Sequence, residues 1–398
     1  MADTLKPRDV KDVEGAVQWV LAEGKTLEIL GHGSKRGIGR AAQWDMSLDL
    51  SALAGVTLYE PEELILSAKV GTALAEIEDL LAAHNQELAF EPMDYGPIFG
   101  AAPRQGTIGG TLAANVSGPR RIKAGAARDH FLGLSAVSGR GETFKSGGRV
   151  VKNVTGYDLC KVLAGSYGTL AVMTDVTVKV LPRAETEQAL LVLGLDDATA
   201  TRAMSVAMNS SNDVSAAAHL PAPLAATIQA EAGTAVTALR LEGVAPSVAH
   251  RREALETLLK PFGTLIAWDE TDSRALWARV RNVAPFADDD RVLWRISTAP
   301  ARGHLVAAAI GEGEYFYDWA GGLIWAALPA SADGGAARIR AALGGEGHAT
   351  LIRAPVAIRA AVPVFEPQAA GVAALSRRLK ESFDPKGVLS PGRMYASV

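Results

Sequence analysis

The sequence predicts an α+β protein in two lobes, and three observations carry that reading. Up to Pro182, glycine clusters separate short runs with strand-like or helical periodicity, at Gly109-Gly110, Gly139-Arg140-Gly141, Gly147-Gly148 and Gly165-Ser166-Tyr167-Gly168. After Pro182 alanine rises and the glycine pairs disappear for about a hundred residues, which marks a domain boundary near 183–187. The chain has 398 residues, with 48% hydrophobic and 21% charged side chains, so it folds and is long enough for two or three cores.

The elements follow in order. Residues 9–23 bring Val13, Ala16, Val17, Val20 and Leu21 to helical spacing, with Asp9 or Asp12 as N-cap and Gly24 as the stop. A short strand at 27–30 then delivers the chain into Gly31-His32-Gly33-Ser34-Lys35-Arg36-Gly37. A strand, a glycine turn and polar donors in that order make a cradle for an anion. Strands are expected at 46–50, 56–59 and 64–70, and a helix at 73–84, capped by Thr72, with Leu74, Ile77, Leu80, Leu81 and His84 on one face. The segment FEPMDYGPIFGAAPRQGT lacks periodicity and is rich in Pro and Gly, so it reads as a long loop that brings 106–110 to a ligand. Alternation over 170–180 gives a half-buried strand that Pro182 ends. Beyond it, strands at 189–193 and 235–241 alternate with helices at 196–210, 245–260 and 272–283. A last helix at 369–383, with Val372, Leu375 and Leu379 on one face, precedes DPKGVLSPGRM.

Bulk composition excludes several function classes. Forty basic and forty-four acidic side chains give a net charge of -4, so no global attraction to nucleic acid is expected. The single cysteine, Cys160, rules out an intrachain disulfide and a self-contained iron-sulfur cluster, which takes four thiolates. The N-terminus has no apolar leader core, and no apolar run approaches the roughly 20 residues that span a bilayer. A cytoplasmic location is expected, with peripheral attachment to the inner membrane only through partners. The seven histidines, at 32, 84, 130, 219, 250, 304 and 348, show no pair at ligand spacing, so no metal site is expected.

The GHGSKRG loop is not a nucleoside-triphosphate loop, because no Gly-Lys-Ser/Thr follows at the required spacing. Nor is it the dinucleotide fingerprint, since Arg36 stands where the third glycine belongs. Downstream, RQGTIGGTLAANVSGPRR is followed by KN-x-TGYDL at Lys152-Asn153 and Thr155 to Leu159, by Gly165-Ser166, and by Gly168 to Leu170 before a final strand. Together with the upstream loop, in this order, the pattern resembles the FAD-binding domain of the PCMH-type (vanillyl-alcohol oxidase type) flavoproteins. The resemblance implies a two-lobed FAD-binding PCMH-type domain at 1–183 with an α+β cap at 184–380, and a segment at 381–398 returning to the FAD domain.

It also implies a site. Backbone donors of Gly31, His32, Gly33, Ser34 and Lys35, with the Ser34 hydroxyl, would hold the FAD pyrophosphate. The second turn, carrying Gln105, Gly106, Thr107, Gly109, Gly110, Asn115, Ser117 and Gly118, would lie against the pyrophosphate and flavin ring. Arg128 and Asp129 stand where the family has a polar pair near the flavin, or form a local salt bridge. Gly168 and Val172 are candidates for close approach to the cofactor. Tyr157 and Asp158 read as structural, Lys152 and Asn153 stay open, and Cys160 reads as an inert core thiol. Relatives that attach flavin covalently place a histidine directly before the loop serine. Here Gly33 intervenes, so FAD is expected to be noncovalent, and His32 reads as a loop donor or a surface residue.

Within the family, VLWRIS at 292–297, YDWAGGLIWAAL at 317–328, GGEGHATLIRAP at 344–355 and FDPKGVLSPGRM at 383–394 most resemble the FAD-binding E subunits of bacterial glycolate oxidase complexes. That likeness implies oxidation of a small 2-hydroxy acid, glycolate, to glyoxylate beside a catalytic flavoprotein subunit and an iron-sulfur subunit. The chain lacks the H-x-GDGN-x-H motif that such dehydrogenases usually carry in the cap. Arg281, Arg295 and Arg353 are conceivable carboxylate ligands, but no catalytic residue is assigned. Three readings therefore stand: a subunit that turns over glycolate, a noncatalytic FAD-binding scaffold or electron relay, and a stand-alone FAD-linked alcohol or hydroxy-acid oxidase.

Overall fold

The computed structural model describes residues 3–149, 156–228 and 233–396. By contact the chain divides into one unit of Met1–Ser117, Gly125–Pro182 and Pro363–Val398, and a second of Gly118–Ala124 and Arg183–Val362. The returning segment thus begins at Pro363 by this division, whereas the sequence reading started it at 381.

In the first unit, β1 (Asp3–Leu5), β3 (Met46–Asp49) and β2 (Leu27–Leu30) form a parallel sheet in that order. Helix α1 (Val10–Glu23) forms as its periodicity requires. Asp9 accepts from the Asp12 amide at 2.9 Å, Gly24 closes the helix at φ 64, and Val13, Val17 and Val20 enter the core. A second sheet is antiparallel in the order β4 (Val56–Glu60), β5 (Ile65–Lys69), β9 (Ala171–Lys179), β7 (Phe131–Ser138), β8 (Thr143–Gly147). Helix α2 (Leu74–Ala82) buries Leu74, Ile77 and Leu81, and its N-cap is Ala73. Thr72 does not cap it, because its hydroxyl donates to Lys69 O at 2.7 Å and accepts from Gly55 N at 2.9 Å. Pro182 does not simply end β9: Leu181–Pro182 (β10) pairs antiparallel with Gln86–Glu87 (β6).

Among the described residues, the second unit carries an antiparallel sheet of eight strands. Their order is β14 (Leu265–Trp268), β11 (Thr186–Leu193), β13 (Val236–Gly243), β12 (Ala216–Leu220), β16 (Glu314–Asp318), β17 (Leu323–Leu328), β15 (Val292–Thr298), β18 (Gly347–Arg353). Leu190, Val192, Leu239 and Leu241 pack against Ala203 and Met204 of the helix Asp197–Met208 and Leu255 of the helix Ala245–Leu259. Glu187 and Arg240 have the opposite strand parity and meet the helix Glu270–Arg281 on the other face. There Ser273 donates to Glu187 at 2.7 Å, and the Arg240 guanidinium lies 5.0 Å from the Trp277 ring.

The returning segment joins the first unit through a buried ion pair. Lys380, in the helix Ala370–Phe383, donates to Asp384 at 2.7 Å, Thr169 O at 2.6 Å and Leu389 O at 2.9 Å. Asp384 accepts in turn from the Val388 and Leu389 amides. Val372 and Leu375 of the same helix are more than half exposed, so the helix is anchored at its C-terminal end.

Candidate cofactor site

Two turns of the first unit converge on one cleft. The first leaves β2 at Leu30 and folds as successive tight turns, with Arg36 N donating to Gly33 O at 2.9 Å and Ile38 N to Lys35 O at 3.1 Å. Gly33 has φ 78, a backbone conformation that other residues adopt at a cost. Arg36 forks onto both oxygens of Glu28, at 2.9 and 2.6 Å, and Glu28 is fully buried within β2. A charged residue therefore stands where a dinucleotide fingerprint has glycine because it ties the loop to its own strand. From the returning segment, Arg393 donates to Lys35 O at 3.2 Å and its carbonyl accepts from Arg40 N at 2.8 Å.

The second turn enters α3 (Ile108–Ala113). Thr107 caps it, its hydroxyl oxygen accepting from Gly110 N at 3.2 Å. Ile108 N and Gly109 N donate to Thr72 O and Val70 O at 3.0 and 2.9 Å, which seats the turn beside the end of β5. The two turns touch: a β-carbon at Gly31 would stand 2.8 Å from Thr107 Oγ1, and one at Gly110 would stand 3.4 Å from Lys35 Cε. The adjacent glycines differ in role. A β-carbon at Gly109 would stand 2.6 Å from Val70 Cβ, so that glycine permits packing against β5, while Gly110 faces Lys35 and the cleft.

Together the two turns line a cleft that is open to solvent. Its apolar wall includes Ile29, Val70, Ala113 and Met173. Gly31, His32, Gly33, Ser34, Lys35, Thr107, Gly109, Gly110 and Gly168 of the sequence-predicted set all line it. Lys35 is only 9% exposed, and burial pulls its ammonium down to about 8 against the opposing field of Asp94. Its Nζ reaches Ser34 Oγ at 3.3 Å. His32 is exposed at the cleft wall.

Other predicted residues lie elsewhere. Val172 is fully buried in the core, and its strand neighbours Ala171 and Met173 line the cleft because successive residues face opposite sides. Asn115 Oδ1 accepts from Arg128 N at 3.0 Å, and Ser117 Oγ from Ala127 N at 2.9 Å, so both clasp the short helix Ala127–His130. Asp129 accepts from Ala126 N at 2.9 Å at the start of that helix, and Lys161 donates to Arg128 O. Gln105 is exposed outside the cleft wall, and Gly106 is buried with its carbonyl accepting from Leu74 N at 2.8 Å. Gly118 falls in the second unit, where its carbonyl accepts from Trp319 Nε1 at 3.0 Å. Lys152, Asn153 and Thr155 lie outside the described residues, and Tyr157 is exposed. Cys160 is buried and its thiol is pushed up to about 12 by that burial, as befits an inert core residue.

Sequence reasoning missed Tyr167 and Arg393, which line the cleft. Tyr167 has φ 53 and donates its amide to Ala113 O at 2.9 Å, and only the flanking glycines hinted at such a turn. Nothing local in SPGRM connects Arg393 to a loop far upstream. Among the described residues no group of three or more His, Cys, Asp and Glu side chains is placed to hold a metal ion.

Apolar walls, two glycine turns and two buried cations, Lys35 and Arg393, on a single cleft suit a polyanionic dinucleotide cofactor. A family described as the FAD binding domain matches residues 2–147. Over 383 residues the chain is 32% identical to the glycolate oxidase subunit GlcE of Escherichia coli strain K12, covering 96% of each. It is 32% identical over 167 residues to the glycolate oxidase subunit GlcD of Bacillus subtilis strain 168, covering 42% of this chain and 33% of that one. In fold it matches the 4-ethylphenol oxidase of Gulosibacter chungangensis with a TM-score of 0.72 at 12% identity, covering 99% of this chain and 89% of that one. The chain belongs to the PCMH-type FAD-binding flavoprotein family, and it is an FAD-dependent oxidoreductase of that family.

Proposed function

We propose that the chain is the FAD-binding subunit of a glycolate oxidase complex, in which glycolate is oxidised to glyoxylate and electrons leave through flavin to partner subunits. The likeness to GlcE over 96% of both chains supports this reading. The observation that carries the cofactor assignment is the convergence of the two turns, so close that a β-carbon added at Gly31 would stand 2.8 Å from Thr107 Oγ1, with Lys35 buried beside them. Gly31, Gly33, Ser34 and Lys35 would hold the pyrophosphate with Thr107 and Gly110, and Gly168 and Met173 would wall the cleft. Bound FAD supplies a hydride acceptor, and this chain's residues orient it and keep water from it. The partners are a catalytic flavoprotein subunit and an iron-sulfur subunit, the latter because one cysteine cannot hold a cluster. A cytoplasmic location with peripheral attachment through those partners fits the finding that, among the described residues, no helix is long and apolar enough to cross a membrane.

The lack of an H-x-GDGN-x-H motif favours a second reading, in which this subunit relays electrons or scaffolds its partner. Anaerobic addition of glycolate separates the two. Bleaching of the flavin band in the purified chain alone establishes autonomous turnover, bleaching only with both partners supports the relay, and no bleaching in either case refutes the glycolate assignment. FAD is held noncovalently in this proposal, since Gly33 separates His32 from Ser34. Acid precipitation should leave the yellow colour in the supernatant, and a yellow pellet would refute noncovalent attachment.

A further inference from the structure

We propose that the ammonium of Lys35 is the counter-charge for a diphosphate lodged between the two glycine turns. This rests on the reading that the cleft takes FAD, and it assigns to the Lys35 side chain a role that the sequence reading gives to backbone amides and the Ser34 hydroxyl. The geometry carries it. Lys35 is about nine-tenths buried, a β-carbon added at Gly106 would stand 3.8 Å from its Nζ and one added at Gly110 3.6 Å, and both Lys35 and Gly110 line the cleft. The ammonium has three donors, and the hydrogen bond found for it is a 3.3 Å contact with the neighbouring Ser34 hydroxyl. A buried cation aimed at a junction of glycine turns needs an anion, and a diphosphate brings one of matching chemistry.

The surrounding charges do not replace that anion. On the same loop, Arg36 is engaged by Glu28 and His32 is exposed. From the loop before α3, Asp94 accepts from the Gly96 and Arg104 amides and contributes the opposing field, while Arg104 is paired with Asp79. From the returning segment, Arg393 contacts the Lys35 carbonyl and adds positive charge. Burial lowers free Lys35 to about 8. A bound diphosphate raises it again, so affinity is level below that value and falls above it, by as much as about tenfold per pH unit.

The test is FAD titration of the apoprotein from pH 7 to 10, followed by flavin fluorescence, with calorimetry in two buffers of different ionisation enthalpy. ADP serves as a flavin-free diphosphate and adenosine as the control without phosphate. The expected result is a level Kd to about pH 8, weakening about tenfold per unit above it, with proton uptake for FAD and ADP but not adenosine. Lys35→Met should bind FAD at least about tenfold more weakly at pH 7 with no slope, and Lys35→Arg should keep affinity through pH 10. A Lys35→Met protein that binds FAD and ADP as tightly as wild type at pH 7 overturns the Lys35 assignment while leaving FAD binding intact. A protein that binds neither FAD nor ADP at any pH overturns the cofactor reading itself.

Discussion

Gly109 and Gly110 are adjacent in one short helix, and the structure requires that alanine at each have a different consequence. At Gly109 the new methyl would stand 2.6 Å from Val70 Cβ and 2.8 Å from Val70 O. The helix cannot retreat easily, because Gly109 N donates to that same carbonyl at 2.9 Å. Overpacking of this kind costs about 1–3 kcal/mol, and straining the hydrogen bond about 1 kcal/mol more. Helix propensity returns about 1 kcal/mol, leaving roughly 1–3 kcal/mol of net destabilisation. At about 2–4 °C per kcal/mol for a unit of this size, Gly109→Ala should lower the melting temperature of the apoprotein by several degrees. Gly110→Ala meets Thr107 Oγ1 at 3.2 Å and the flexible Lys35 Cε at 3.4 Å, so it should melt near wild type and instead weaken FAD binding. Calorimetric melting of both variants, with FAD titration, checks the pair. Equal melting temperatures for Gly109→Ala and wild type would refute the reasoning.

Two further outcomes follow from the packing. Asp384→Ala leaves the Lys380 ammonium buried without its carboxylate, and should cost about 3–5 kcal/mol in urea unfolding; a loss below about 1 kcal/mol counts against a buried pair. Met173→Ala should weaken FAD binding, whereas Val172→Ala should leave it near wild type while opening a core cavity at a cost of about 1–3 kcal/mol. The reverse order, read by melting and FAD titration, would mean that the strand faces are misassigned.

Local order was the most legible part of the sequence. Helix α1 carries its period and both stop signals within fifteen or so residues, and the loop after β2 announces itself by composition. By contrast β17 is apolar along its whole length and buried on both faces, so no alternation distinguished it. The cleft was legible as two glycine turns, but not in its division of labour. Sequence treats Gly109 and Gly110 alike, and only the position of Val70 separates a packing glycine from a cleft glycine. Val172 was placed one residue from the side chains that line the cleft because the strand's facing cannot be read without its neighbours. Arg393 and the Thr169 contact of Lys380 depend on partners far away in sequence, which no window of periodicity reveals.

The brace that Arg393 makes on the Lys35 carbonyl spans 358 positions along the chain. Leu27 likewise donates to Val388 O, and Ser390 to Leu27 O, so the strand feeding the first turn is itself stitched to distant sequence. During synthesis the ribosome releases the glycine turns long before their brace exists. A chain truncated before residue 388 therefore leaves the first turn and its feeding strand without these three hydrogen bonds.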